Sequence, residues 1–374
     1  MKLKAMDLSV MLGLVLSILS PAISASTRIQ EFAPRPPLGF NSFDSYRTYL
    51  SEDKARALID VMAEKYRPFG YEYFVMDAGW ARNVELYPGS MYPKKRIGVA
   101  MDEFGLLEPC KMYFPHGIKA LADYAHQRGL KFGVWVMRGI PREAVERNLP
   151  IKGTPYFARD IADTNSICVW NQENYGIDMT KPGAQAYYDA LIKKLAGWGI
   201  DFLKVDDVVP NPLEIVAIAK AIEAGGHKTV YSLSPGDVHH PTHLPYYRRA
   251  NMLRITRDIW DDPLSVEKGF YAWEQFQGTE RPGFWPDLDM IPFGRLNVVA
   301  TDDVPNVPLE QRARQSYFNE AQMKTFITQR ALAASPLIIG GDLLTMDDFS
   351  YRLLTNREML ACNQNGVTGI KVYR

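Results

Sequence analysis

The feature that most constrains the fold of this chain is a repeated alternation of short apolar segments with longer amphipathic ones. Eight apolar segments have the length of strands and are nearly continuous rather than alternating in polarity: Leu38–Asn41, Tyr73–Asp77, Phe132–Met137, Phe202–Asp206, Thr229–Ser232, Met252–Thr256, a weaker segment near Phe284, and Leu337–Ile339. Strands that are buried on both faces have this composition, as in parallel sheets covered by helices. The pattern therefore predicts a parallel sheet.

The segments between the predicted strands carry the signals of helix starts and ends. Ser51 is placed to cap a helix, and Pro182 stands where a helix begins and needs no backbone N–H. Gly129 and Gly199 end helical patterns, and a predicted strand follows each of them closely. This strand–helix rhythm predicts a (β/α)8 TIM barrel. A doubly wound open sheet is the alternative, but the chain lacks the G-x-G-x-x-G and Walker sequences typical of that fold.

The composition narrows the classes of function. The 374 residues include 43 Lys and Arg and 43 Asp and Glu, so the chain lacks the positive charge typical of nucleic-acid binding proteins. Hydrophobic residues make up 47% of the chain, which is enough for a large buried core. The three cysteines have no zinc-type spacing and form at most one disulfide. The core rather than crosslinks must therefore hold the fold.

The N-terminal residues have the pattern of a secretion signal. Two early lysines precede an apolar run, Leu8–Leu19, and the small residues of Ala22–Ala25 offer a cleavage site. We therefore expect residues 1–26 to be removed, residues 27–374 to form the barrel, and the mature protein to be secreted or periplasmic. The apolar run is short for a transmembrane helix, so no stable membrane span is expected after cleavage. An uncleaved anchor is the alternative.

Aspartates follow several of the predicted strands at the point where each strand ends. The positions that share this placement are Asp77, Asp206, Asp258, Asp287 and Asp289. In a barrel the carboxyl ends of all strands open into one cleft, where catalytic residues collect. Burial of several carboxylates together is unfavourable unless they are paired or used in chemistry. The sequence therefore predicts an active site built from acids.

Asp206 and Asp258 form the pair best suited to hydrolysis of a glycosidic bond, which needs one carboxylate to attack or to activate water and another to protonate the leaving oxygen. Lys204 lies two residues before Asp206 on the same face of the strand, and its charge favours an ionised Asp206. Asp258 lies on another element and can approach the opposite side of the bond. Carboxylate clusters also bind magnesium or calcium, but the inward lysine argues against this, and we expect neither metal nor cofactor.

Around these acids the sequence resembles glycoside hydrolase family 27, the α-galactosidase or melibiase family, from about Pro36 to Gly366. The segments that carry the resemblance are, in chain order, PPLGFNSF from Pro36, YFVMDAGW from Tyr73, FPHGI from Phe114, FLKVD from Phe202, Arg254–Asp258, DLDM from Asp287, ASPLIIGGDL from Ala334 and LLTN from Leu353. Each segment is a weak signal by itself. Their order and their positions at strand ends make the resemblance specific.

This resemblance implies a barrel enzyme that hydrolyses α-linked sugars with retention of configuration and without a metal. Residue by residue, it implies that Asp206 is the nucleophile and Asp258 the general acid/base. The residues expected to bind the substrate, an oligo- or polysaccharide, are Asp77, Lys204, Arg254, Phe43, Trp80, Trp135, Ser234, Asp287 and Asp289.

Two departures from the family pattern bear on specificity and extent. The family's paired aspartates on the second strand are Asp77-Ala78 here, and members use that pair to bind the 4- and 6-hydroxyls of galactose. The family's C-terminal β-sandwich is expected to be absent or truncated.

The leading prediction is a terminal α-galactosidase. The alternatives are an isomaltodextranase-like α-glucan hydrolase, a β-L-arabinopyranoside hydrolase, and a catalytically weakened carbohydrate-binding barrel.

Overall fold

A computed structural model describes residues 28–236, 238–300 and 307–372, so the predicted signal segment lies outside the described residues. Eight parallel strands form one sheet: β1 (Leu38–Asn41), β2 (Tyr73–Met76), β3 (Lys131–Met137), β4 (Phe202–Asp206), β5 (Val230–Leu233), β6 (Met252–Arg254), β7 (Trp285–Asp287) and β8 (Leu337–Ile339). They pair in the order β7-β6-β5-β4-β3-β2-β1-β8. Ile291, just past β7, bridges Ile339 of β8 in parallel and closes the sheet. The predicted (β/α)8 barrel is confirmed.

Helices follow the strands and cover the outside of the barrel. The main ones are α1 (Glu52–Val61), α2 (Gly117–Gln127), α3 (Ala184–Gly197), α4 (Pro212–Gly225), α5 (Leu244–Tyr247), α6 (Pro263–Phe276), α7 (Glu320–Leu332), α8 (Asp348–Leu354) and α9 (Arg357–Gln364). Further helical turns lie at Arg28–Phe32, Phe43–Tyr46, Met62–Tyr66, Arg67–Phe69, Arg142–Glu146, Ala158–Ile161, Pro241–His243, Leu309–Gln311 and Leu343–Thr345. Within the described ranges, no helix has both the length and the apolar character needed to cross a bilayer.

Most of the predicted helix boundaries are confirmed. Ser51 directly precedes α1, although its side chain accepts no capping hydrogen bond. Gly129 and Gly199 follow α2 and α3 with φ angles of +72° and +79°, a conformation that glycine adopts without strain. The prediction that Pro182 begins a helix is wrong, because Gly183 has a left-handed φ of +89° and the helical residues start only after it.

The strands pack closely and are buried, as their continuous apolar composition predicts. Every residue of β1, β2, β5, β6, β7 and β8 is buried. A Cβ atom on Gly39 would lie 2.4 Å from the carbonyl oxygen of Tyr73, so a larger residue there would push β1 away from β2. The predicted strands that end at Asp77 and Thr256 run too far, since the ladder stops at Met76 and Arg254.

Three additions extend the carboxyl-end loops of the barrel. They are a hairpin of Arg82–Leu86 and Pro93–Val99, a small sheet of Ile140–Pro141, Ala162–Ile167 and Asn174–Ile177, and a pair of Arg295–Leu296 with Arg314–Gln315. The long segments Asn83–Pro115 and Asp163–Met179, which the sequence predicts to be irregular insertions after the second and third strands, are not wholly irregular, because both contain antiparallel strands. The three cysteines are all free.

Candidate active site

The carboxyl ends of the strands surround one pocket at the mouth of the barrel. Its apolar lining is made by Val75, Phe202, Met252, Met290 and Ile338. Its polar lining is made by Asn41, Lys204, Ser232, Ser234, Arg254, Asp287 and Asp289. The fold therefore brings together side chains that are far apart in the sequence, at the end of the barrel where the acids were expected.

Asp206, the last residue of β4, has one carboxylate oxygen that is held and one that is free. The Trp135 indole Nε1 donates to Asp206 Oδ2 over 2.7 Å. In the described part of the chain, the buried Asp206 Oδ1 makes no direct hydrogen bond, although the nearby Ser234 hydroxyl helps to lower the pKa of Asp206. Burial disfavours the charged form, but Lys204 and Arg254 outweigh it and hold the pKa of Asp206 below its usual value. Asp206 is an ionised carboxylate with one oxygen available for chemistry.

Lys204 connects Asp206 to the end of β2. Its Nζ donates to Asp77 Oδ2 over 2.8 Å, and the same oxygen accepts a hydrogen bond of 2.7 Å from Asn41 Nδ2. Burial lowers the pKa of Lys204, but Asp77 and Asp206 together raise it above the ordinary value. The ammonium group therefore stays charged between two carboxylates.

Arg254 and Asp258 form an ion pair at the rim of the pocket. Arg254 is buried, whereas the side chain of Asp258 is 65% exposed, and Nη2 lies 2.8 Å from Asp258 Oδ1. Arg254 Nη1 lies 3.7 Å from Asp289 Oδ2, on the inner side. Burial lowers the pKa of Arg254, but Asp289 and Asp258 raise it above its usual value. The guanidinium thus links an exposed acid to a buried one.

Asp287 and Asp289 line the pocket at the end of β7. The backbone N–H of Asp289 donates to Asp287 Oδ1 over 2.9 Å, and the N–H of Ile259 donates to Asp289 Oδ2 over 2.8 Å. Burial, followed by repulsion from Asp289, raises the pKa of Asp287 to about 7. Asp287 therefore carries a proton for much of the time near neutral pH, unlike Asp206.

Aromatic rings flank this group of charges. Phe43 is half-buried, and Lys204 Nζ lies 6.0 Å from its ring centroid. Trp135 reaches Asp206 directly through its indole N–H. Trp80 is almost fully buried, and its indole N–H donates to the Trp135 carbonyl oxygen over 2.6 Å. Trp80 therefore lies behind Trp135, where it supports that ring rather than facing the pocket.

Sequence reasoning assigned no role to Asn41 and Asp44. Asn41 is the last residue of β1 and holds Asp77 in place. Asp44 is fully buried, and neither carboxyl oxygen has a hydrogen-bond partner among the described residues. Burial, followed by repulsion from Asp289, raises the pKa of Asp44 well above its usual value. The available signal was their place at the end of the first predicted strand, since Asn41 is its last residue and Asp44 lies three residues further on.

Comparison with known proteins agrees with this geometry. The profile of the family described as alpha galactosidase A matches residues 41–142. The chain is 40% identical to the structure of a GH27 β-L-arabinopyranosidase from Geobacillus stearothermophilus, with a TM-score of 0.86 and coverage of 94% of this chain and 81% of that one.

Curated plant relatives are more distant. An α-galactosidase of Coffea arabica is 29% identical over 344 residues, which are 90% of this chain and 72% of that protein. An α-galactosidase of Cyamopsis tetragonoloba is 26% identical over 90% of this chain, which spans 66% of that relative's length. With 40% identity to a GH27 enzyme over most of both chains, this chain belongs to glycoside hydrolase family 27 and is a glycoside hydrolase.

Proposed function

We propose that this protein is a retaining exo-glycosidase for terminal β-L-arabinopyranosides and α-D-galactopyranosides, with the arabinopyranosides preferred. The two sugars have the same ring configuration and differ only in the hydroxymethyl group that galactose carries at C5. In this proposal Asp206 is the nucleophile and Asp258 the general acid/base. Asp77, Lys204, Arg254 and the other polar residues of the pocket bind the sugar hydroxyls.

The single observation that carries the proposal is the state of the Asp206 carboxylate. Its Oδ2 is fixed by Trp135, whereas Oδ1 is buried and makes no direct hydrogen bond to the described residues. The charges of Lys204 and Arg254 keep the group ionised despite its burial. An ionised, oriented and desolvated oxygen is what attack on an anomeric carbon requires.

Asp258 supplies the proton that the leaving group needs. In the first step Asp206 Oδ1 bonds to the anomeric carbon while Asp258 protonates the departing oxygen, which gives a glycosyl ester. In the second step Asp258 takes a proton from water, and that water displaces Asp206 from the anomeric carbon. The exposed position of Asp258, whose side chain is paired with Arg254 at the rim, gives water access for this second step.

Ala78 supports the preference for the smaller sugar. It follows Asp77 directly and packs against an apolar cluster of Trp135, Met137 and Cys168. This surface offers no acceptor to a 6-hydroxyl group, whereas family members use a second aspartate at this position. The relatives support both activities, since the 40% identical structure is a β-L-arabinopyranosidase and the 29% identical protein is an α-galactosidase.

A panel of 4-nitrophenyl glycosides tests the proposed substrate class. We expect the highest kcat/KM for the β-L-arabinopyranoside, a lower value for the α-D-galactopyranoside, and little activity on the α-D-glucopyranoside, whose 4-hydroxyl has the opposite configuration. Best activity on the glucoside would favour the α-glucan hydrolase. Sugar binding without hydrolysis of any substrate would favour the carbohydrate-binding barrel.

Variants of the two carboxylates test their roles. Asp206→Asn should reduce turnover of every substrate to the background rate, because an amide forms no glycosyl ester. Asp258→Asn should slow hydrolysis of disaccharides by about 10²–10⁴-fold and that of nitrophenyl glycosides much less, because nitrophenolate leaves without protonation. An equal loss on both kinds of substrate would contradict the acid role of Asp258.

A further inference from the structure

A buried polar network surrounds the peptide that follows Asp206. Its centre is Arg138, the first residue after β3, whose side chain is 5% exposed. The Arg138 backbone N–H donates to the Asp206 carbonyl oxygen over 3.1 Å. Its Nε donates to the Asp207 carbonyl oxygen over 2.7 Å and to Asp207 Oδ2 over 2.9 Å. One residue thus holds both Asp206 and Asp207 at the end of β4.

Asp207 adopts a backbone conformation that needs such support. Its φ angle of +61° lies in the left-handed region, which residues with a side chain rarely occupy. Asn211 Nδ2 donates to the same carbonyl oxygen over 2.8 Å. The direction of the chain after Asp206 therefore depends on contacts made to Asp207.

The other side of the Arg138 guanidinium is fixed from outside the sheet. Nη1 donates to Glu214 Oε1 on α4 over 2.8 Å, and Nη2 donates to Ser166 Oγ over 2.9 Å. The Tyr188 hydroxyl on α3 donates to Glu214 Oε2. That hydroxyl also accepts a hydrogen bond of 2.9 Å from the Gly139 backbone N–H. The guanidinium therefore connects the end of β4 directly to α4, and to α3 through the bond between Glu214 and Tyr188.

This arrangement is an unfavourable way to stabilise a fold. Burial raises the pKa values of Asp207 and Glu214, and the charge of Arg138 only partly offsets that effect. Apolar residues of similar volume often stabilise a protein as well as a buried ion-pair network does, or better. The contacts of Arg138 converge on the peptide that follows Asp206. The main effect of the network is therefore to fix the position of that peptide.

We propose that Arg138 is a positioning residue that sets the attack geometry of Asp206, and that Glu214 holds its guanidinium in place. The inference rests on the proposed role of Asp206 as nucleophile. Arg138 acts through the backbone, since Lys204 and Arg254 are the charges that keep Asp206 ionised against its burial. Its loss should therefore slow attack without weakening sugar binding.

Single-turnover kinetics measure the attack of Asp206 on the sugar separately from the later steps. With enzyme in excess over a 4-nitrophenyl glycoside, the rate of nitrophenol release reports formation of the glycosyl ester. Arg138→Lys keeps the charge but cannot make all of the guanidinium hydrogen bonds. We expect its saturating rate to fall by about 100-fold, as a displacement of about 1 Å can cause. The half-saturating enzyme concentration should stay within about twofold of the wild-type value, because sugar contacts are retained.

Glu214→Gln is the second variant, and Glu52→Gln is its matched control. Glu52 is also a buried glutamate paired with an arginine, Arg56, but it lies at the start of α1. Rates are normalised to the folded fraction measured by circular dichroism. We expect Glu214→Gln to slow release by about tenfold, and Glu52→Gln to lower Tm without changing the rate per folded molecule.

The possible outcomes separate this inference from the proposed function. Wild-type rates for folded Arg138→Lys and Glu214→Gln would overturn the positioning role and leave the nucleophile assignment intact. If Arg138→Lys does not fold, a wild-type rate for Glu214→Gln alone overturns it. An equal slowing in Glu52→Gln would show a general structural effect and also overturn it. Full turnover by Asp206→Asn would overturn the nucleophile assignment and this inference with it.

Discussion

At the scale of single residues, the neighbours of each carboxyl group decide what that group can do. Asp206 faces Lys204 and Arg254, and they keep it ionised even though it is buried. Asp287 is buried and faces Asp289, so its pKa rises to about 7. Identical side chains at the ends of β4 and β7 therefore take different protonation states because their charged neighbours differ.

Ala78 is the residue whose replacement tests the proposed sugar preference. Ala78→Asp places a carboxylate where family members have one, and it offers an acceptor to the 6-hydroxyl that arabinose lacks. We expect the ratio of kcat/KM for the galactoside to that for the arabinopyranoside to rise by at least about tenfold. Ala78→Ser, which adds a smaller polar group, is the control. An unchanged ratio in a folded Ala78→Asp protein would contradict a role for this position in specificity.

Asp287 should make the free energy of unfolding depend on pH, and the sign of that dependence follows from its raised pKa. In the unfolded chain its pKa is 3.8, whereas burial and then Asp289 raise it to about 7 in the native state. Between these values only the native state keeps the proton, so the contribution of Asp287 to the free energy of unfolding falls as pH rises from 4 to 7 and stays low above pH 7.

Asp287→Asn is always neutral and keeps the oxygen that accepts from the Asp289 N–H. Relative to wild type, it should therefore be more stable at pH 8 than at pH 4, by at most about 4 kcal/mol. Urea unfolding of both proteins at the two pH values measures the difference. A relative stability that is the same at pH 4 and pH 8 would contradict the raised pKa.

At the scale of elements, the sequence located the strands of the barrel well because both of their faces are buried. The hairpin after β2 was missed because its second strand, Pro93–Val99, carries Lys94, Lys95 and Arg96 on an exposed surface. Exposed two-stranded segments need no apolar run, so composition does not reveal them. The four-residue helix α5 is too short for a helical period to be visible.

The N-terminus of α7 shows how an element can be tested apart from the site. The Asn319 side chain accepts from the Gln322 backbone N–H over 3.0 Å, and the Gln322 side chain accepts from the Asn319 N–H over 2.9 Å. Asn319→Ala should lower the free energy of unfolding by about 1 kcal/mol and leave kcat and KM unchanged. Chemical denaturation and steady-state kinetics check both parts. A large loss of activity in the folded variant would show that α7 is coupled to the site.

At the scale of the whole molecule, the barrel explains why aspartates at strand ends predicted the site. It also explains why the side chains that hold them in place were not predictable from the sequence. The closed sheet brings strand ends together, so Lys204 on β4 bonds Asp77 at the end of β2 and lines the same pocket as Asp287 at the end of β7. The bonds of Arg138 to Glu214 and Asp207 join positions about 70 residues apart. No local pattern specifies such pairings, because they depend on how helices pack around the closed sheet.

The central claim is that Asp206 attacks the anomeric carbon and forms a glycosyl ester, and the configuration of the first product tests it most directly. Proton NMR spectra are recorded during the first minutes of hydrolysis, before the free sugar mutarotates. Two displacements at the same carbon restore its configuration. We therefore predict β-L-arabinopyranose as the first product from a β-L-arabinopyranoside, and α-D-galactopyranose from an α-D-galactopyranoside. The opposite anomer as the first product would contradict the nucleophile role of Asp206.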